Sequence, residues 1–246
     1  MVDKLDKTHP EIKPIISNSE SSMKDKRGKV AILIVNGGQD PIQGKWLSLC
    51  INKIIQHTRA GSYHIYIWNN NIDDAFVEPF VQFIPDCTLV QASSNISLSH
   101  VHADPLHRLY KQAKNKGAEY IVTMDSDAHP VRDGWLDTLV QQLEQGAVLA
   151  GAWRDELRAA ISPYVHASCL ATSVRFIEEN GLRLDNIPPN ENKVIHDTLS
   201  QFTRKAQQID GQIYRWMRSN HRQFHRLMGG IYGGYLSPWC RIKGTR

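Results

Sequence analysis

The stretch Glu119-Tyr120-Ile121-Val122-Thr123-Met124-Asp125-Ser126-Asp127 decides the fold. Its apolar part is rich in β-branched residues and lacks the in–out alternation of a half-solvated strand. It reads as a parallel strand covered on both faces. Two carboxylates separated by one residue follow at once. Open α/β sheets bind their ligands at the carboxyl ends of the strands, so this strand delivers Asp125 and Asp127 to the place where such a sheet does its chemistry.

The same pattern extends outward in both directions. Upstream, residues 105–116 read as a helix with Leu106, Leu109 and Ala113 on one side, closed by Gly117. Residues 30–35 form a second continuous apolar run, closed by Asn36-Gly37-Gly38. A helical pattern through Trp46, Leu49, Cys50 and Ile54 follows and ends near Gly61. Residues 63–68 read as a strand ending in Asn69-Asn70-Asn71, residues 73–81 as helical and residues 88–90 as a short strand. Downstream, Leu136, Leu139, Val140 and Leu143 mark an amphipathic helix over residues 135–143, and residues 148–152 a further strand. This alternation predicts an α/β fold, a mixed and mainly parallel central sheet flanked by helices. Beyond it, residues 165–171 are expected as strand, and residues 174–180, 193–208 and 215–227 as helix. Gly229, Gly230, Gly233 and Gly234 mark a flexible C-terminal segment. The expected organisation is a polar, flexible tail over residues 1–28, a main domain over 29–210, and a segment over 211–246 that completes or covers the site.

Composition bounds the function. The 246 residues are 41% hydrophobic and 22% charged, enough for one large α/β domain. The net charge of +4 is far from the dense Lys/Arg stripe of a nucleic-acid binder, and suits a phosphate-bearing ligand or an anionic membrane surface. Cys50, Cys87, Cys169 and Cys240 form no C-x-x-C pair and no zinc spacing. That pattern, the polar first residues and the lack of a long apolar run lead to the expectation of a cytoplasmic protein, in contact with the inner face of a membrane if its acceptor is lipid-linked.

Three strand ends carry the candidate site: Asn36-Gly37-Gly38, Asn69-Asn70-Asn71 with Asp73, and Asp125-Ser126-Asp127. Asn and Gly after strands are also ordinary turn formers. The paired carboxylates are the hard oxygen ligands that Mg²⁺ or Mn²⁺ prefers, and such ions bind through one or two carboxylates plus substrate phosphates.

At this point the sequence resembles a known family. Residues 120–131, with Ala128-His129-Pro130-Val131 after the D-x-D and then Gly134-Trp135-Leu136, look like the core of family 2-type glycosyltransferases of the GT-A fold. Ser99-His100-Val101-His102 and the helix after it resemble the segment that packs beside the nucleotide. The likeness spans about residues 29–205. It implies an enzyme that moves a sugar from a nucleoside-diphosphate sugar to an acceptor hydroxyl, with Mn²⁺ or Mg²⁺ and with inversion. Polysaccharide or glycan biosynthesis is the setting it implies. Asn36, Asn69 and Asp73 would cradle base and ribose, with His102 beside the nucleotide. Asp125 would face ribose or sugar and share the metal with Asp127. The family's general base falls at Asp197 in Ile195-His196-Asp197-Thr198-Leu199, where His196 replaces the family's glutamate. A helix-capping role is the plain alternative for Asp197. The stretch Tyr164-Val165-His166-Ala167-Ser168-Cys169-Leu170 resembles the family's segment beneath donor sugar and acceptor, with core strand as the plain reading of Val165 and Leu170. His221 and His225 are candidates for a further metal ligand, and equally for a solvated helix face. The partners implied are the donor and a glycan, lipid-linked or small-molecule acceptor, with no nucleic acid.

Two other functions compete. Haloacid dehalogenase-type phosphatases also place a D-x-D after a strand, though on the first strand, and with Thr or Val where this chain has His129. A non-catalytic sugar- or nucleotide-binding domain of the same fold would keep the strand ends and lose the base.

Overall fold

The protein is described by a computed structural model over residues 29–37, 41–71, 77–92, 102–155, 162–185, 197–219 and 231–238. In chain order the elements are β1 (Val30–Asn36), α1 (Pro41–His57), β2 (His64–Asn69), α2 (Val77–Val81), β3 (Cys87–Gln91), α3 (Ala103–Asn115), β4 (Tyr120–Asp125), β5 (Ala128–Pro130), α4 (Trp135–Glu144), β6 (Leu149–Arg154), β7 (Tyr164–Ser173), α5 (Val174–Glu179), α6 (Ser200–Gln208), β8 (Ile213–Trp216) and β9 (Leu236–Pro238).

A seven-stranded sheet in the order β3-β2-β1-β4-β7-β6-β8 forms the centre. The strands β3, β2, β1 and β4 are parallel neighbours, β7 runs against both β4 and β6, and β8 lies parallel to β6. Only β7 therefore runs against the rest. The mixed, mainly parallel sheet flanked by helices that the sequence predicts is present.

The unbroken apolar run of β1 has a physical reason. Val30, Ile32 and Ile34 enter one core with Leu47, Cys50, Ile51 and Ile54 of α1 and Trp135, Leu136 and Leu139 of α4. Ala31, Leu33 and Val35 enter a second core with Leu106, Leu109 and Ala113 of α3, Phe176 of α5 and Phe202 of α6. Each successive side chain faces the opposite side of the sheet, and both sides are covered. No helix among the described residues is long and apolar enough to cross a membrane.

Two expectations fail. Residues 213–216, at the start of the stretch read as a helix over 215–227, form the edge strand β8, paired with Leu149, Ala150, Gly151 and Ala152 of β6. Trp216 is 1% exposed and Arg215 stacks its guanidinium 4.0 Å from the Trp153 ring, so pairing and burial override the helical spacing. Within the helix expected over residues 193–208, residues 197–199 form a turn in which Leu199 takes φ 64°, and α6 begins at Ser200; residues 193–196 lie outside the described residues. A small two-stranded sheet, β5 with β9, has no counterpart in the sequence reading. The expected tail over residues 1–28, Asp73, His100, His196, His221 and His225 lie outside the described residues.

Candidate active site

The parallel strands β2, β1 and β4 end at one edge of the sheet. In register, Asn36 lies opposite Asn69, and Val35 opposite Asp125. Asn36 and Asn69 are 1% and 0% exposed. Asn36 Nδ2 donates to Asn69 Oδ1 at 2.9 Å. Asn69 Nδ2 donates onward to Gln91 Oε1 at 3.1 Å and to the Asn71 carbonyl at 3.2 Å. The two amides thus tie three strand ends together beneath the surface.

Beside them lies a chain of ionisable groups drawn from four segments. Asp125 ends β4, His102 precedes the first turn of α3, His166 lies on β7, and Asp197 lies just ahead of α6. His102 Nε2 is 3.5 Å from Asp125 Oδ1. His166 Nδ1 is 3.9 Å from Asp125 Oδ2, and its Nε2 is 3.7 Å from Asp197 Oδ2. The Tyr164 hydroxyl donates to Asp197 Oδ2, and the Thr198 amide donates to Asp197 Oδ1 at 2.7 Å. Asp197 caps no helix: Leu199 holds the N-cap position of α6.

The charges at this site are only partly compensated. Burial pushes the Asp125 carboxyl up to about 7, Asp197 adds to the shift, and the Arg154 guanidinium opposes it. Asp127 is also pushed up to about 7, first by burial and then by Asp125. Burial lowers His102 against the pull of Asp197 and Asp127. His166 falls to about 3, through burial and then through Arg154. Both imidazoles are therefore neutral at pH 7 and supply no counter-charge. Burial and the nearby carboxylates raise the Cys50 thiol, which reaches the Asp125 carbonyl at 3.9 Å and so acts as a structural hydrogen-bond donor.

Paired, partly buried carboxylates with unmet negative charge fit a hard divalent cation. Among the described residues no group of three or more His, Cys, Asp or Glu is placed to hold an ion. Among the described residues, then, a cation at Asp125 and Asp127 would have only these two carboxylates, and His221 and His225 lie outside the described residues.

Arg154 carries no motif and has no role in the sequence reading. Tyr164 and His166 belong to the stretch expected beneath donor sugar and acceptor, with no individual role assigned to either. Their placement depends on an irregularity in the β6–β7 ladder between Gly151 and Trp153. Gly151 sits at φ 143°, and a Cβ there would fall 2.0 Å from the Cys169 carbonyl oxygen. Past this bulge, Arg154 pairs with Tyr164, bringing the cation and the phenol to the strand ends together. On the other side of the D-x-D, β5 pairs with β9, His129 opposite Ser237, so the C-terminal segment lies against the strand that follows Asp127.

No protein-family model matches the chain, and no curated protein matches it in sequence. Solved structures do share its fold. S. aureus TarS 1-349 superposes with a TM-score of 0.52 at 11% identity, over 76% of this chain and 57% of that one. The same protein in complex with UDP gives 0.54 at 12% identity, over 76% and 57%. Its complex with UDP-GlcNAc gives 0.50 at 10% identity, over 79% and 60%. The chain thus spans less than two thirds of the length of these structures, and at such identity what the likeness shows is a common fold.

Proposed function

We propose that the chain is a glycosyltransferase that moves a sugar from a nucleoside-diphosphate sugar to an acceptor hydroxyl, with a divalent metal and with inversion. One observation carries the reading. Asp125 and Asp127, at the end of β4, and Asp197, from just ahead of α6, gather around His166 at the carboxyl ends of a sheet whose fold is shared with a protein solved with UDP and with UDP-GlcNAc.

Asp125 and Asp127 would hold Mn²⁺ or Mg²⁺, which when bound neutralises the departing diphosphate. Asp197, which keeps 46% of its side chain exposed, is the base that takes the proton of the attacking hydroxyl. A single base opposite the leaving group gives direct displacement at the anomeric carbon, hence inversion. Neutral His102 beside Asp125 offers a hydrogen-bonding edge to the nucleotide. Buried Asn36 and Asn69 act by holding the strand ends that cradle base and ribose. The Arg154 cation sets the potential under the donor.

A thermal-shift panel of UDP-, GDP-, dTDP- and CDP-sugars, each with and without Mn²⁺, tests this. One nucleotide class is expected to raise Tm in a Mn²⁺-dependent way, and no shift with any of them contradicts the reading.

A further inference from the structure

Asp197 precedes the short turn through Thr198 and Leu199 that leads into α6, yet its carboxylate is held at both oxygens. The Thr198 amide donates to Oδ1 at 2.7 Å. Oδ2 receives the Tyr164 hydroxyl and faces the Nε2 edge of His166 at 3.7 Å. The tautomer of His166 follows from its other nitrogen. Nδ1 accepts the Ser168 amide hydrogen at 3.0 Å, so in the neutral ring the proton is on Nε2, directed at Asp197. Tyr164 and His166 lie two apart on β7, so one strand presents an O–H and an N–H to the same carboxylate oxygen.

Tyr164 is 2% exposed, and a buried phenol hydroxyl needs a partner. It meets that need on the carboxylate rather than on backbone. Each donor restricts rotation of the carboxylate plane, which on a half-exposed Asp would otherwise be free.

From this geometry we infer that Tyr164 is the positioning residue of Asp197. Its hydroxyl fixes the carboxylate so that one lone pair is aimed at the acceptor hydroxyl, with the Nε2–H of His166 guarding the same oxygen. The inference rests on Asp197 being the base of the proposed transfer. Tyr164 itself touches no reacting atom, so its loss should fall on turnover and spare donor affinity. A misdirected catalytic group costs up to about 100-fold in rate.

The test compares the wild type with Tyr164→Phe, which keeps the ring and removes only the hydroxyl. Release of nucleoside diphosphate from the UDP-, GDP-, dTDP- and CDP-sugar panel with Mn²⁺, with water supplying the acceptor hydroxyl that attacks the anomeric carbon, is measured over a range of donor concentrations. UDP binding is titrated and Tm recorded alongside. The expected result is a kcat lower by about 10- to 100-fold, with donor KM and UDP affinity within about twofold of wild type and Tm retained. His166→Ala, which leaves the phenol in place, should give a smaller loss of kcat. Unchanged kcat in Tyr164→Phe overturns the positioning role and leaves the glycosyltransferase reading standing. Loss of kcat, UDP affinity and Tm together overturns it in favour of a packing role. A wild type that releases no nucleoside diphosphate from any donor overturns both.

Discussion

His102 Nε2 stands 3.5 Å from Asp125 Oδ1, and burial keeps this imidazole neutral, so this nitrogen does not neutralise the carboxylate. A pH dependence follows. Asp125 and Asp127 have folded values near 7 against 3.8 for an ordinary aspartate. Below about pH 4 folded and unfolded chains are both protonated here, and the pair has no effect. Between about 4 and 7 the unfolded chain releases protons that the folded chain keeps, so this contribution to stability falls as pH rises and is flat above 7. His102 and His166, with lowered values, act in the opposite sense below their unfolded pKa, so the pair is read as a difference between variant and wild type. Asp125→Asn should gain on the order of 2 kcal/mol over wild type at pH 8 and almost nothing at pH 4. Urea unfolding at the two pH values measures this, and equal differences at both would count against the account.

Asn69 links the ends of β1, β2 and β3 through one amide. Asn69→Ala should cost about 1–3 kcal/mol, because it leaves the buried Asn36 amide without its acceptor. The loss would appear in the urea midpoint.

Gly151 has no room for a side chain against the Cys169 carbonyl oxygen. Gly151→Ala should destabilise by about 3 kcal/mol or more, through strain and through displacement of β6 from β7. Because Arg154 lies beyond the bulge, any folded fraction should also turn over more slowly. Tm and nucleoside diphosphate release on the same sample check both.

Much of this arrangement can be read in the sequence because the residues involved have local reasons for their behaviour. Residues 30–35 of β1 and, apart from Thr123, residues 120–124 of β4 form almost unbroken apolar runs because both faces are covered, and that continuity marks the strands as central. Asp125 and Asp127 follow one of them directly. Other parts depend on tertiary pairing and carry no local signal. The four residues of β8 include Arg215 and Trp216, whose spacing with Arg218 mimics a helix; the strand exists because β6 leaves an edge to pair with and Trp153 a ring to stack on. Arg154 and Tyr164 reach the site only through the bulge at Gly151, which in sequence is one glycine among small residues.

Asp197→Asn keeps the shape of the side chain and removes its basicity. It should abolish transfer while leaving binding of the donor sugar within about threefold of wild type. A domain that only binds sugars or nucleotides would have no turnover to lose, so a wild type that binds the donor and never releases nucleoside diphosphate would favour that function.

The central claim is that Asp125 and Asp127 form the metal and diphosphate site of a nucleotide-sugar enzyme. Calorimetric titration of the nucleotide-sugar selected by the thermal-shift panel, with and without Mn²⁺, into wild type and the Asp125→Ala/Asp127→Ala double variant tests it most directly. The account predicts Mn²⁺-dependent binding in the wild type and a loss of at least about 100-fold in the double variant. Mn²⁺-dependent binding of equal affinity in both proteins would contradict it.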